Sequence, residues 1–213
     1  MTNQIRLLVA DDQALVRGAL VALLNHEPDL EVVAEVERGD EVLPALRDTP
    51  VDVALLDVEM NGLDGIAVVE LLSREAPEVR ALIVTTFGRP GFVRRALDAG
   101  ASGFVVKDTP ADELADAVRR VHAGLRVVDP DLATQSLIDG KNPLSDRERQ
   151  ALSWCLDGSP VATIASKMSL SVGTVRNYLS SAVTKTGGSS STHAAVIARE
   201  RGWLQVLVLI ASA

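Results

Sequence analysis

Features that define several other protein classes are scarce in this sequence. One cysteine, Cys155, stands among 213 residues and has no second cysteine with which to form an internal disulfide, so a buried structural thiol is expected. Aromatic residues make up only 3% of the chain, which favours an α/β layout over a β-sandwich. Apolar runs are too short to span a membrane, and the first residues lack the pattern of a signal peptide. We therefore expect a cytoplasmic protein.

Charge is divided unequally along the chain. Residues 141–213 carry eight Lys or Arg against four Asp or Glu, a net charge of +4, whereas residues 1–140 carry 13 against 25, a net charge of −12. This asymmetry indicates two domains with different partners, because metal suits an acidic domain and nucleic acid a basic one. Simple solvation of both surfaces would give the same division, so charge alone does not decide.

The first 123 residues alternate between strand and helix signals. Short runs rich in Val, Ile and Leu predict buried parallel strands, and the amphipathic stretches between them predict helices. The predicted strands are 5–10, 31–36, 51–57, 81–86 and 103–107, and the predicted helices are 13–25, 39–48, 63–75, 91–99 and 111–123. Five such units predict an α/β domain with a doubly wound parallel sheet, a (βα)5 fold.

The pattern changes in the last third of the chain. Residues 124–142 predict a linker with a short helix after Pro130, and only helical periods follow in 143–204. The predicted helices are 146–156, 160–167, 172–186 and 192–201. A small, basic, all-α domain of four helices is typical of a nucleic-acid-binding module. For the apolar tail 205–213, three alternatives stay open: it lengthens the last helix at a dimer contact, adds a strand to a neighbour, or folds back on its own domain.

Polar residues follow four of the predicted strands where each strand ends. They are Asp11 with Asp12, Asp57, Thr85 and Lys107. Because ligand sites in open parallel sheets lie beyond the carboxyl ends of the strands, these side chains are expected to lie together. Mg²⁺ prefers oxygen ligands, so Asp12, Asp57 and the backbone carbonyl of Glu59 are candidate direct ligands. Asp11 would bind the ion through water.

This set of side chains indicates phosphoryl transfer. Each residue alone has an ordinary explanation, such as a loop cap, strand propensity or solvation; their combination on one edge is specific. An oxygen of Asp57 is the candidate nucleophile and would form an acyl phosphate. Lys107 and the metal would neutralise charge on the phosphoryl group, and the Thr85 hydroxyl would bond the attached phosphate and draw the next loop inward.

The segments VADDQ, LLDVEMNGLDG, TTF and GFVVKD resemble the receiver domain of bacterial two-component response regulators. This resemblance implies Mg²⁺ and phosphotransfer from a histidine kinase. Its residues would be Asp57 as acceptor, Asp11 and Asp12 as the acidic pair, Thr85 as the switch hydroxyl and Lys107 as the family's lysine. Phe104 stands where the family has its switch aromatic, and core packing explains it equally well. Asn61 stands where proline is usual, which predicts a less rigid loop after Asp57.

A narrower resemblance concerns one segment. TTFGRPGFVRRALDAG is similar to the DesR-like regulators of membrane-lipid desaturation. Pro90 and Gly91 are also residues that commonly form a turn and open the next helix, which would explain them without this relationship.

The basic module contains a predicted helix-turn-helix. Ser145 and Glu148 predict a capping box on its first helix, and the second helix of the motif would enter the major groove. The candidate DNA contacts on that helix are Thr174, Arg176, Asn177, Ser180, Ser181 and Lys185. Arg can read guanine and Asn adenine, whereas Lys185 would contact phosphate. An amphipathic helix whose polar face only contacts solvent would show the same periodicity, so periodicity alone does not establish DNA binding.

The segment 143–204 is similar to the LuxR-type helix-turn-helix, and the whole chain to the NarL/FixJ class, through LSDRE, IA, LS, TVRNY and ARERGWL. The resemblance implies a transcription regulator that dimerises on phosphorylation and binds promoter half-sites in double-stranded DNA. Thr186, Gly188 and Ser191 depart from the more apolar and basic residues usual there. We expect fewer phosphate contacts, and the two glycines Gly187 and Gly188 predict a looser start of the last helix.

Three other functions fit parts of the sequence. An aspartyl-phosphate hydrolase also uses a strand-end Asp with Mg²⁺, but it has a cap-domain insertion that is not visible here. A module that works without phosphorylation would not need the acidic pair with Thr85 and Lys107. An RNA-binding module would need a platform of aromatic side chains on which bases stack, and the sequence does not provide one. The sequence therefore predicts a regulator and not an enzyme.

Overall fold

The computed structural model describes residues 4–86, 88, 90–129, 132–134 and 142–204. The chain divides into two compact units, one built from residues 1–88 with 93–135 and the other from residues 89–92 with 136–213. The expectations for the tail 205–213, and for residues 130, 131 and 135–141 of the linker, lie outside the described residues.

The first unit contains a parallel sheet of six strands in the order β2-β1-β3-β4-β5-β6. The strands are β1 (Ile5–Ala10), β2 (Leu30–Val36), β3 (Val53–Leu56), β4 (Arg80–Thr85), β5 (Gly103–Val106) and β6 (Val127–Val128). The chain moves outward from β1 in one direction to β2 and in the other to β3. The carboxyl ends of β1 and β3 therefore flank the crevice at which such sheets bind ligands.

Five helices connect the strands. They are α1 (Ala14–Asn25), α2 (Val42–Asp48, after a 3₁₀ turn at Gly39–Glu41), α3 (Gly65–Glu75), α4 (Pro90–Ala99) and α5 (Ala111–His122). Alternate strand residues such as Leu7, Val9 and Leu55 form a core with Leu24 of α1 and Val118 of α5, as the two-residue period of a strand requires. The residues between them, among them Leu8, Leu56 and Ile83, are equally buried on the opposite face.

The two edges of the sheet differ. β6 is only two residues long and pairs with Gly103 and Phe104 of β5. β2 has seven residues, of which Glu31 and Glu35 are exposed. The side-chain oxygen of Asn25 accepts a hydrogen bond from the N–H of Val32 at 2.8 Å. Charges and a capped donor on an edge strand discourage pairing with another strand.

The second unit is a bundle of four described helices. They are α6 (Asp146–Leu156), α7 (Val161–Lys167), α8 (Val172–Thr186) and α9 (Ser191–Glu200). Ser145 and Glu148 form the predicted capping box on α6, and the side chain of Ser171 caps α8. Ile164, Val175 and Ala194 lie in one buried core. α6, α8 and α9 thus begin at a serine cap, whereas α7 begins after Pro160, and each helix buries one stripe.

Two glycines shape the junction between α8 and α9. Gly187 ends α8 with a positive φ of 73°, a conformation that glycine adopts without steric cost. A Cβ at Gly188 would lie 2.8 Å from the backbone nitrogen of Ala194. Gly188 therefore allows the close approach of α9, and the expectation that the two glycines loosen the start of this helix stays a prediction.

The structure differs from the sequence expectation mainly in the segment after α5. Val127–Val128 form a sixth strand where we expected only a linker, because they find hydrogen-bond partners on the free edge of β5. Residues 132–134 are helical, within the short helix expected after Pro130. Among the described residues, none of the helices has the length and apolar character needed to cross a membrane.

Candidate functional site

Three carboxylates meet at the carboxyl ends of β1 and β3. Asp11 and Asp12 follow β1, and Asp57 follows β3. One carboxylate oxygen from each residue lies within 4.8 Å of the others. Asp11 and Asp57 are buried, and Asp12 is the most exposed of the three. The position of the two strands in the sheet is what brings these residues together.

Lys107, which follows β5, reaches into this cluster. Its Nζ donates a hydrogen bond to Asp57 Oδ2 at 2.7 Å and lies 2.7 Å from Asp11 Oδ2. The second contact lacks hydrogen-bond geometry, so Asp11 Oδ2 is buried without a hydrogen-bond partner among the described residues. The other oxygen of Asp11 accepts the N–H of Gln13. The single ammonium group of Lys107 therefore lies in contact with two buried carboxylates, those of Asp11 and Asp57.

The cluster shifts the acidity of its members. Burial raises the pKa of Asp57, although the hydrogen bond from Lys107 opposes the shift. Burial and the neighbouring charge of Asp11 raise the pKa of Asp12. Burial alone would lower the pKa of Lys107, but its interactions with the carboxylates of Asp11 and Asp57 raise it. The negative charge at this edge is thus incompletely balanced by protein groups.

These residues fit a hard divalent cation. Mg²⁺ takes oxygen ligands, commonly one or two carboxylates with water and phosphate oxygens. The cluster offers three carboxylates, one of which has a buried oxygen without a hydrogen-bond partner in the described part of the chain. The backbone N–H of Glu59 donates to Asp57 Oδ1 at 3.4 Å, so the backbone of Glu59 also lies at the site. The donor set supports a metal at this position.

Thr85 and Lys107 are linked through the backbone. Thr85 is the last residue of β4 and is buried. Its carbonyl oxygen accepts the N–H of Lys107 at 2.8 Å. Phe104, on β5, is fully buried and pairs with Ile83 of β4. In this conformation Phe104 is a core residue, and its action as a switch stays a prediction.

Sequence reasoning missed one residue at this site. Arg17 of α1 donates from Nη1 to the carbonyl oxygen of Asp11 at 2.5 Å, and its Nε lies 3.9 Å from Glu35. Arg17 therefore holds the segment that carries the acidic pair. The available signal was that Arg17 is the only charged residue in the helix ALVRGALVALLN.

The predicted DNA contacts of α8 differ in their exposure and in their partners. Arg176, Asn177 and Ser180 are exposed at positions that share one face of the helix. Thr174 is half-buried, and its hydroxyl bonds to that of Ser171 at 2.8 Å.

Ser181 and Lys185 both bond to the side chain of Glu148 on α6. The structure thus gives these two residues an intramolecular partner that the sequence did not indicate. A phosphate contact of Lys185 stays a prediction.

Comparison with known proteins connects the two units to two families. Residues 7–119 match the response regulator receiver domain, and residues 142–198 match the luxR family of bacterial regulatory proteins. The chain is 40% identical over 200 residues to the transcriptional regulatory protein YvfU of Bacillus subtilis (strain 168) and 37% identical over 201 residues to DesR of the same organism. Each alignment covers 94% of this chain and 100% of the relative.

Solved structures show the same architecture. The response regulator ChrA of a heme-sensing two-component system gives a TM-score of 0.57 at 31% identity, covering 95% of this chain and 100% of ChrA. A complex of the response regulator RcsB with DNA gives a TM-score of 0.64 at 23% identity, covering 93% of this chain and 99% of RcsB, and shows the likeness in fold.

The α/β receiver fold and the helical second unit define a two-domain regulator. This chain belongs to the two-component response regulators that join a receiver domain to a LuxR-type DNA-binding domain. It is a transcription regulator of the NarL type, with DesR and YvfU among its relatives.

Proposed function

We propose that Asp57 accepts a phosphoryl group from a histidine kinase and that this event promotes dimerisation and promoter binding. One observation carries the proposal: the Asp57 carboxylate is buried beside two further carboxylates and is hydrogen-bonded to the Lys107 ammonium. An oxygen of Asp57 attacks the phosphorus, the O–P bond forms, and the N–P bond to the kinase histidine breaks. The imidazole nitrogen leaves with the electron pair and takes up a proton.

The residues around Asp57 have distinct functions in this proposal. Lys107 stabilises negative charge on the transferring group. Asp12, Asp57 and the carbonyl of Glu59 would hold Mg²⁺ directly, and Asp11 would hold it through water. When bound, Mg²⁺ supplies further positive charge to the phosphoryl oxygens. Arg17 keeps the acidic pair in place through the Asp11 carbonyl.

Thr85 is proposed to report the phosphorylated state. Its hydroxyl would bond the attached phosphate, and its backbone is already joined to Lys107. Inward movement of Thr85 would therefore shift the ends of β4 and β5 together, and Phe104 of β5 would repack as the switch aromatic. Such a change biases a two-state surface of the domain.

The surface of α1 provides a place for a helical partner. Leu15 is 87% exposed and Leu23 is 47% exposed, on a helix whose only charged residue is Arg17. We assign the contact with the kinase to this helix, on which both leucines are exposed.

DNA binding is assigned to the exposed face of α8. Arg176 and Asn177 would read base edges in the major groove, and Ser180 and Thr174 would lie beside them. A symmetric dimer would place two such helices on two half-sites. The proposed segments are a receiver domain at 1–123, a linker at 124–142, a DNA-binding domain at 143–204 and a tail at 205–213. Since kinase and promoter are both reached in the cytoplasm, we place the protein there.

Acetyl phosphate tests the phosphorylation site directly. The protein is incubated with acetyl phosphate and Mg²⁺, and intact mass is measured. We expect one phosphoryl adduct on the wild type, none on Asp57→Ala, and a normal adduct on Asp116→Asn, which removes an exposed carboxylate of α5. A wild type without an adduct, or an adduct that persists in Asp57→Ala, would reject the proposal.

The same preparation separates this function from that of a phosphatase. A regulator phosphorylates itself and releases phosphate slowly, so we expect no sustained turnover of p-nitrophenyl phosphate. Multiple turnovers that disappear in Asp57→Ala would instead support an aspartyl-phosphate hydrolase.

A further inference from the structure

The loop that carries Asp57 is tied to the rest of the receiver domain at both ends. We call residues 57–64 the acceptor loop. At its start, the N–H of Asp57 donates to the carbonyl of Ala10 at 3.0 Å. The N–H of Gly65, the first residue of α3, donates to the carbonyl of Val58 at 3.1 Å and so joins the two ends of the loop. The middle of the acceptor loop, which contains Asn61, needs a separate support.

That support comes from the turn between β2 and α2. The N–H of Gly39 donates to the carbonyl of Asn61 at 3.1 Å, and Arg38 and Asn61 form an isolated parallel bridge. We call this backbone contact the clasp. In this bond Asn61 contributes only its backbone carbonyl, an acceptor that every residue provides, so the clasp does not depend on the side chain at position 61. The clasp is a second anchor for the acceptor loop, and the expectation of a less rigid loop stays a prediction.

The clasp depends on the absence of a side chain at Gly39. A Cβ there would overlap the carbonyl oxygen of Leu63, which is backbone and cannot rotate away. Any larger residue would push the β2–α2 turn and the acceptor loop apart. Gly39 is also buried, which leaves little room for the turn to adjust.

A neighbouring ion pair contributes less. The guanidinium of Arg38 lies 3.0 Å from the carboxylate of Asp40, which covers Gly62. Both side chains are substantially exposed, and an exposed ion pair adds little stability. The backbone clasp, and not this pair, is what holds the acceptor loop.

We infer that Gly39 is a positioning residue for phosphoryl transfer, acting through Asn61 on the acceptor loop. The inference rests on the proposed function of Asp57. The clasp keeps Asp57 and the backbone of Glu59, which are joined by a hydrogen bond, in the arrangement that binds the metal. Opening the clasp should weaken metal binding and leave the chemistry at saturating metal largely intact.

The test compares Gly39→Ala with Gly18→Ala. Gly18 lies in α1, where a Cβ would meet open space, so it is a matched control. Phosphorylation by acetyl phosphate is followed across a range of Mg²⁺ concentrations. For Gly39→Ala we expect the half-saturating Mg²⁺ concentration to rise about tenfold, the lower end for residues that orient ligands. The rate at saturating Mg²⁺ should change by less than about twofold, and Gly18→Ala should match the wild type.

Amide hydrogen exchange on the wild type gives an answer even if Gly39→Ala does not fold. In the metal-free protein, the Gly39 amide should be protected because it donates to Asn61. Mg²⁺ should increase that protection, since coupling between a metal site and the clasp is reciprocal. An unprotected Gly39 amide, protection indifferent to Mg²⁺, or a folded Gly39→Ala with the control's Mg²⁺ dependence would each overturn the inference.

The result can be separated from a failure of the proposed function. If the wild type forms no adduct on Asp57, the proposed function fails, and with it the inference that rests on it. If the wild type is phosphorylated on Asp57 and Gly39→Ala behaves like Gly18→Ala, only the positioning by Gly39 fails.

Discussion

Lys185 Nζ donates hydrogen bonds to both carboxylate oxygens of Glu148, at 2.9 and 2.8 Å, and thereby joins α8 to α6 in the DNA-binding domain. The Ser181 hydroxyl donates to Oε1 at 2.6 Å and the Ser145 N–H to Oε2 at 2.7 Å. The side chain of Glu148 is only 5% exposed. A buried carboxylate with this many donors is stabilising as long as it remains ionised.

Glu148 should make the stability of this domain depend on pH. Burial alone would raise its pKa, but the hydrogen bonds from Lys185, Ser181 and Ser145 lower it from 4.5 to about 2. A lowered pKa stabilises the fold above the unfolded value, and the contribution is lost as pH falls from about 4.5 to about 2. Glu148→Gln should remove about 3 kcal/mol at neutral pH and flatten this dependence.

Tryptophan fluorescence during urea unfolding measures that change. Both tryptophans of the chain, Trp154 and Trp203, lie in the C-terminal unit, so the signal reports on this domain. Glu200→Gln, on an exposed residue at the end of α9, is the control and should leave stability unchanged. Equal unfolding of Glu148→Gln and Glu200→Gln would refute the assignment.

Lys185 is expected to act more on stability than on DNA affinity. Its ammonium is already balanced by Glu148, although the side chain remains 38% exposed. In Lys185→Ala, the slope of log affinity against log salt should therefore change by clearly less than the unit expected for a lost phosphate contact. Unfolding at lower urea should accompany this. A full unit of lost slope with unchanged stability would instead establish a phosphate contact.

Arg176 should determine specificity. Arg176→Ala is expected to weaken binding to a specific site by about 1–3 kcal/mol and to affect unrelated DNA much less. Fluorescence anisotropy with a fragment recovered by genome-wide mapping of bound DNA measures both. Arg147→Ala removes the same charge from the exposed surface of α6 and is the control. Parallel losses on specific and unrelated DNA would place Arg176 on phosphate.

Removal of Lys107 should make the receiver domain depend on metal for its stability. In Lys107→Met, the buried Asp11 and Asp57 lose their cation, which should cost about 3 kcal/mol in EDTA. Mg²⁺ should recover part of this loss, so its stabilising effect should exceed that in the wild type. Calorimetry measures both. Arg120→Met, from an exposed pair with Asp116, should cost less than about 1 kcal/mol, and an equal cost for both variants would contradict the prediction.

Much of this architecture follows from local pattern. The runs that became β1, β4 and α8 are long and periodic enough to locate within a residue or two, and the strand ends then indicate Asp11, Asp57 and Lys107 together. β6 consists of two valines, and a pair of residues has no period to detect. It is a strand only because β5 offers it a free edge.

The remaining contacts join residues that are distant in sequence. Lys185 and Glu148 are 37 residues apart, and the Arg38–Asn61 bridge connects two loops. Arg17 bonds to a backbone carbonyl, which has no residue-specific signature. Helical spacing predicts that Lys185 faces outward and cannot show that a carboxylate of another helix reaches it. Such pairings are fixed by the packing of whole elements.

The two edge strands of the sheet, β2 and β6, restrict how copies of the protein can associate. β2 presents Glu31 and Glu35 and a Val32 amide already occupied by Asn25, while β6 is two residues long. Neither edge strand presents a long row of unpaired backbone N–H and C=O groups with which a further strand could pair. Within the described residues, the receiver sheet should therefore not recruit strands from other copies, so contacts between receiver domains are expected to involve helices.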